Sequence, residues 1–280
     1  RVLKGEAGSY GFEPITQVDP HPPLGPERHV VKLDQVEAKT CDGDLTCRTV
    51  RSRFTYDSYG NVIRTDEDGE VSVTGDERAT VTTFSLNPQA WILNKPRLIQ
   101  ILDGAGAVIA QRRFYYDGQT VLDTAPTLGN LTKEEEWLNS TPEQWLATTL
   151  TYDAYGNVKT VRDALSRTTT NDYDAATSTY LVKITNTLGH TRELTYDALF
   201  GAVTSSKDQN GVITSTAYDA LGRVTKVIGP TDTAALPTIT YAYELSTVPA
   251  VPAKTTVQTR VASGQPAVLT VHTFTDGLGR

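Results

Sequence analysis

The string Tyr-Asp-x-x-Gly returns along these 280 residues at a nearly fixed interval, and the recurrence restricts the fold more than any one residue does. It stands intact at Tyr56-Asp57-Ser58-Tyr59-Gly60, Tyr152-Asp153-Ala154-Tyr155-Gly156 and Tyr218-Asp219-Ala220-Leu221-Gly222, and is lengthened by one residue at Tyr196-Asp197-Ala198-Leu199-Phe200-Gly201. A degenerate copy, Tyr173-Asp174, falls between, so Tyr152, Tyr173, Tyr196 and Tyr218 are 21, 23 and 22 residues apart. A period of this size points to one small unit stacked on the next rather than to a fold wrapped around a single site.

Asp or Asn followed three residues later by Gly occurs eight times, at Asp57, Asp66, Asp103, Asp153, Asn186, Asp208, Asp219 and Asp276. Chance placement of these residue types would give about 2. Turn chemistry accounts for the excess. The acidic or amide side chain accepts a backbone N–H at the start of a type I turn, and glycine tolerates the left-handed conformation that completes the hairpin as a G1 bulge. Asp163-Ala164-Leu165-Ser166 has Ser in place of Gly, which predicts a looser turn. Between turns, runs such as Phe54-Thr55-Tyr56 and Leu194-Thr195-Tyr196 alternate with strand periodicity. A 22-residue period less two turns leaves two strands of about seven residues. The expected fold is all-β: antiparallel hairpin repeats laid edge to edge in a sheet that strand twist bends into a curved or spiralling wall.

Tyr-Asp-x-x-Gly-Asn-Val and the run Tyr218 to Val224, Tyr-Asp-Ala-Leu-Gly-Arg-Val, resemble the repeats of the YD-repeat or Rhs (rearrangement hot spot) family. That family includes polymorphic toxin shells, insecticidal toxin complex B and C components and teneurins. The resemblance covers roughly residues 51–280 and is best over 150–230. It implies a hollow β-sheet shell enclosing a C-terminal toxin or effector, secreted or at the cell surface of a bacterium. The partners would be the rest of the parent shell and its cargo. It also marks Tyr56, Asp57, Gly60, Tyr152, Asp153, Gly156, Tyr196, Asp197, Gly201, Tyr218, Asp219 and Gly222 as structural turn and repeat residues. The family's Asp-Pro-x-Gly self-cleavage region has no counterpart, since Asp19-Pro20 is followed by His21-Pro22, so no catalytic residue is carried over.

Residues 1–49 read as a Pro-rich lead-in segment with one or two strands around His29 to Val36, and residues 50–280 as the repeat domain. Irregular insertions are expected near 75–149 and 229–255, with a helical turn opening at Thr141-Pro142-Glu143-Gln144. The chain has no Met and stops inside a partial repeat after Phe274, and is read as a piece of a longer protein. A net charge of −7 argues against nucleic acid, and no apolar run reaches the ~20 residues of a membrane span. Cys41 and Cys47 can form a disulfide, remain free thiols or supply half of a metal site.

Four histidines, His21, His29, His190 and His272, are scattered without partners at catalytic spacing. Asp66-Glu67-Asp68-Gly69-Glu70 is read as a turn rather than a calcium loop, and Glu134 to Glu136 as a solvated charge run. No phosphate loop or nucleophile elbow appears, which predicts neither an enzyme nor a cofactor site. Trp137 and Trp145 are core residues or carbohydrate contacts, and the latter reading would make the chain a cell-surface adhesion or glycan-binding module.

Overall fold

A computed structural model of the chain describes residues 3–14, 29–41, 47–245 and 251–276. They form nineteen strands and one short 3-10 helix, Pro88–Ala90. The fold divides into two compact units, Arg1–Leu150 and Thr151–Arg280.

The first unit holds β1 (Leu3–Pro14), β2 (His29–Cys41), β3 (Cys47–Tyr56), β4 (Val62–Glu70), β5 (Arg78–Asn87), β6 (Ile92–Asp103), β7 (Val108–Tyr116) and β8 (Leu131–Trp137), and most of β9 (Trp145–Tyr152). Each strand pairs antiparallel with the next in the chain. The second unit repeats this meander with β10 (Val158–Arg162), β11 (Thr168–Tyr173), β12 (Leu181–Thr185), β13 (Thr191–Asp197), β14 (Ala202–Lys207), β15 (Ile213–Tyr218), β16 (Val224–Ile228), β17 (Ile239–Glu244), β18 (Ala253–Arg260) and β19 (Val268–Thr275). These too pair in chain order.

Several expectations are corrected. The stretch 75–149 is not irregular: β5 to β8 and part of β9 lie in it, because ladder pairing needs alternation and register but not the Tyr-Asp consensus. Thr141 to Gln144 form no helical turn, since the bond from Leu138 N–H to the Gln144 carbonyl closes this segment as the β8–β9 hairpin loop. Asp66 to Gly69 are not a corner. Asp66 lies within β4 opposite Arg53 and Ala79, and the left-handed Gly69 (φ 59°) sits where the β3–β4 register slips near Val50 and Ser52. The stretch 229–255 contains β17, which pairs in register with β18. The lead-in segment carries two long strands, β1 and β2. The turn expected at Asp276, the Asp42-Gly43-Asp44 link and Asp19-Pro20-His21 extend outside the described residues.

The registers separate the two faces of the second unit. Val161, Ile184, Leu194, Val203, Val227 and Ile239 share one face with the repeat tyrosines. Thr160 opposite Thr170, Thr185 opposite Thr191 and the ion pairs Glu193–Lys207 (3.2 Å) and Glu244–Lys254 (2.7 Å) occupy the other. In the first unit Asp68 bonds both Arg51 (2.5 Å) and Arg53 (2.6 Å).

Globular domains bury such faces between layers. Here the buried apolar side chains among those described are Ala79, Tyr115, Tyr116, Pro126 and Pro237. The accessible surface is 18720 Å², against the roughly 11,800 Å² expected for a compact monomer of this mass. Among the described residues neither unit has a second layer over its sheet.

Candidate functional site

Among the described residues the repeated site is the corner that follows β3, β7, β9, β11, β13 and β15. At Asp57 the backbone N–H donates to the Asn61 carbonyl (2.9 Å) and Gly60 N–H returns to the Asp57 carbonyl (3.2 Å), which is a type I turn closed by a G1 bulge. The Asp57 carboxylate accepts the N–H groups of Tyr59 (2.9 Å) and Asn61 (2.8 Å), so the side chain fills the turn that its own backbone opens. Asp153 with Gly156 and Asp219 with Gly222 repeat these bonds. So do Asp103, Asn186 and Asp208 at the opposite end of the hairpins. His190 is the exposed residue that follows the Asn186 turn, its backbone N–H bonded to Asn186.

The expected loosening at Asp163 does not occur. Ser166 itself adopts the left-handed conformation (φ 64°), and the turn keeps every bond, with Arg167 added on the carboxylate at 2.6 Å. The corner also tolerates insertion. Asp197 holds one extra residue, Asp174 closes on Tyr180, and Asp117 closes on Asn130 across a much longer loop. Asp117 still accepts the N–H groups of Thr127, Leu128, Gly129 and Asn130.

The tyrosine has a role that spacing did not reveal. Just before it the ladder of its own hairpin slips by one residue, at Thr55/Tyr56, Tyr115/Tyr116, Asp172/Tyr173, Thr195/Tyr196 and Ala217/Tyr218. On the other side, pairing with the preceding hairpin has already stopped, at Ser205 opposite Ser215 for Tyr218 and at Lys183 opposite Glu193 for Tyr196. The two hairpins separate towards the corner, and the ring lies in the gap with its hydroxyl on a backbone carbonyl of the preceding hairpin. Tyr56 bonds Leu33 (2.9 Å), Tyr116 bonds Pro96 (2.7 Å), Tyr173 bonds Val158 (3.2 Å), Tyr196 bonds Leu181 (2.9 Å), Tyr218 bonds Val203 (2.7 Å) and Tyr243 bonds Val224 (2.9 Å). In every case the tyrosine stands three residues past the last ladder pair and its acceptor two residues past it. A carbonyl that strand pairing leaves over is thereby satisfied without water.

Neighbouring corners also interlock. In the second unit Asn157 donates to the Ser178 carbonyl (2.7 Å), Tyr180 donates to Ala198 (3.2 Å), and the Phe200 ring lies 2.9 Å from where a Gly222 Cβ would stand. The Arg223 guanidinium covers the Tyr243 ring at 4.3 Å. In the first unit Asn61 bonds the Leu93 carbonyl and Asn87 the Pro126 carbonyl.

Cys41 and Cys47 face each other across β2 and β3 and form a disulfide. Trp137 and Trp145 are a cross-strand pair, both half-buried, and the Arg113 guanidinium lies 3.7 Å from the centre of the Trp145 ring. Trp91 is 81% exposed. Among the described residues no group of three or more His, Cys, Asp or Glu side chains is placed to hold a metal ion, and no helix is long and apolar enough to cross a membrane.

Residues 199–234, which carry the Leu199 and Asp219 corners, match the family described as RHS Repeat. No curated protein matches the sequence. The fold recurs in solved structures. The crystal structure of TcdB2-TccC3 aligns with 99% of this chain at a TM-score of 0.64 and 12% identity, and the Photorhabdus luminescens Tc holotoxin pore aligns with 100% at 0.59 and 11%. The chain spans about a fifth of those chains, 20% and 21%.

Proposed function

We propose that this chain, a YD/Rhs-repeat sequence, supplies a stretch of antiparallel wall to a larger secreted shell that encloses a toxin or effector and takes no part in chemistry itself. The observation that carries the reading is the rule linking each repeat tyrosine to the carbonyl of the preceding hairpin. A register repeated at six tyrosines extends a sheet hairpin by hairpin and needs no second layer to define it. The aspartates and glycines fix the corners, the tyrosines join one hairpin to the next, and the barrier so formed acts by excluding other macromolecules. The large uncovered surface supports the same reading, because a segment that lacks its own covering layer is suited to completion by more of the assembly.

Limited proteolysis of the polypeptide encoded by the complete reading frame tests this. The region beyond the repeats should resist cleavage while the wall is folded and become sensitive when Tyr196→Ala and Tyr218→Ala are combined. Cleavage of that region at the rate of an unstructured peptide, with the wall intact, contradicts the proposal.

A further inference from the structure

Six short corners close on a left-handed glycine, with φ between 75° and 87° at Gly60, Gly106, Gly156, Gly189, Gly211 and Gly222. The loop between β5 and β6 keeps this plan with other residues. Asn87 stands where the aspartate would, its side chain accepting the Ala90 N–H (3.2 Å). Trp91 stands where the glycine would, its N–H bonded to the Pro88 carbonyl (3.3 Å) at φ 55° and ψ 29°. The other non-glycine residues at positive φ among those described are Asp117, Asn139, Ser166 and Ser178, all small and polar. A bulky aromatic side chain in this region is a genuine outlier. Packing gives nothing in return, since Trp91 is 81% exposed. Backbone strain and an uncovered indole meet at one residue, and strain retained without a packing return points to a ligand.

The tip is braced as well as strained. Pro88 fixes the first residue of the turn, and the Asn87 amide donates to the Pro126 carbonyl (2.8 Å) in the adjoining loop. Its polar surroundings are neutral. Gln89 and Asn94 are exposed amides, each with donors and an acceptor, whereas Arg97 is paired with Asp123 and Lys95 is packed against Gly129. The loop joins strands that are paired on their far sides too, β5 with β4 and β6 with β7, so hairpins added at a sheet edge do not reach it.

We propose that Trp91 is the stacking platform of a carbohydrate site that takes a neutral pyranose chain. The flat indole matches the apolar C–H face of a sugar ring, and the amides match its rim of hydroxyls. Size favours the same ligand. A protein partner needs about 800 Å² on each side, whereas one aromatic side chain offers no more than about 250 Å². A net charge of −7, with Arg97 engaged by Asp123, gives no attraction for phosphate or nucleic acid. The other two tryptophans are less available to a sugar, since Arg113 covers the Trp145 ring and the Trp137 Nε1 is buried. The inference does not depend on any cargo, so it can fail while the wall reading stands.

The probes are cellotetraose and chitotetraose, whose equatorial substituents leave both ring faces apolar, titrated to tens of millimolar into the isotope-labelled full chain. The indole N–H signal of Trp91, identified by its loss in Trp91→Gly, should shift saturably with at least one of the two sugars while those of Trp137 and Trp145 stay in place. Trp91→Gly should weaken binding at least tenfold by calorimetry and should melt at or above the temperature of the parent, because glycine adopts the left-handed backbone without strain. Trp91→Tyr keeps an aromatic face and should retain part of the affinity. No saturable shift with either sugar, shifts shared by Trp137 or Trp145, undiminished binding in Trp91→Gly, or a lower melting temperature in that variant would each overturn the proposal. So would a Trp91 signal that moves with chain concentration in the absence of sugar, which marks a second copy as the occupant. Sedimentation with phosphatidylcholine vesicles that Trp91→Gly abolishes would overturn it in favour of a lipid surface, reached together with Leu128, 77% exposed in the adjoining loop.

Discussion

At the residue scale the corners are small anion sites whose anion is their own aspartate. The backbone N–H of Tyr180, helped by Thr177 and Thr179 against the effect of burial, holds the Asp174 carboxyl well below the usual carboxylate range. Arg223 lowers Asp219 and Arg167 lowers Asp163, in both cases first through the backbone N–H. Because these values lie below the unfolded carboxylate value of about 3.9, the unfolded chain binds more protons in acid. Their contribution is present above about pH 4 and is lost as the pH falls through the folded values. Thermal melting should be nearly flat from about pH 7 to 5 and fall below about pH 4, and Asp174→Asn should reduce the acid slope. An unchanged slope in that variant would remove Asp174 from the account. The glycines differ in a measurable way. Gly156 (φ 85°) and Gly222 (φ 75°) are both left-handed, but a Cβ meets nothing within 4 Å at the first and the Phe200 ring at 2.9 Å at the second. Gly156→Ala should cost about 1 to 2 kcal/mol by backbone strain, and Gly222→Ala at least about 1 kcal/mol more by overpacking. Urea denaturation giving the reverse order would contradict this. The turn roles of Asp and Gly could be read from spacing alone; the approach of Phe200 could not, because it comes from the next corner in space.

At the element scale the tyrosine hydroxyl is the part of the repeat that periodicity left hidden. Alternation assigns Tyr196 and Tyr218 to an apolar face, and a ring there needs no explanation beyond packing. The acceptor exists only because the ladder slips on one side of the tyrosine and stops on the other, and neither event is visible before register is known. In 75–149 spacing marks the Asp103 corner but not the hairpin that Asp117 closes, because Asp117 does the work of the short corners across a loop too long for a spacing rule to find. Tyr218→Phe keeps the ring and removes the bond to Val203, and should cost about 0.5 to 1.5 kcal/mol. Tyr218→Leu should cost more, since the gap between hairpins is then left partly empty. Equal stability of the parent and the phenylalanine variant in urea would show that packing alone sets the residue.

At the scale of the whole molecule, each unit is a single strip of sheet whose hairpins are joined by one rule used repeatedly. The all-β class, the antiparallel pairing and the position of the best repeats between residues 150 and 230 were legible, since turn, aromatic and period agree there. The amount of surface left uncovered was not, because it depends on what no strand among the described residues supplies. The central claim is that each hairpin is held to the one before it through its tyrosine in a fixed register. It is tested most directly by nuclear Overhauser contacts in chain labelled selectively at tyrosine, leucine and valine. The Tyr196 ring should contact Leu181, the Tyr218 ring Val203 and the Tyr243 ring Val224, all three together. Rings whose contacts fall on other strands, or none of the three contacts in a folded chain, would contradict the account.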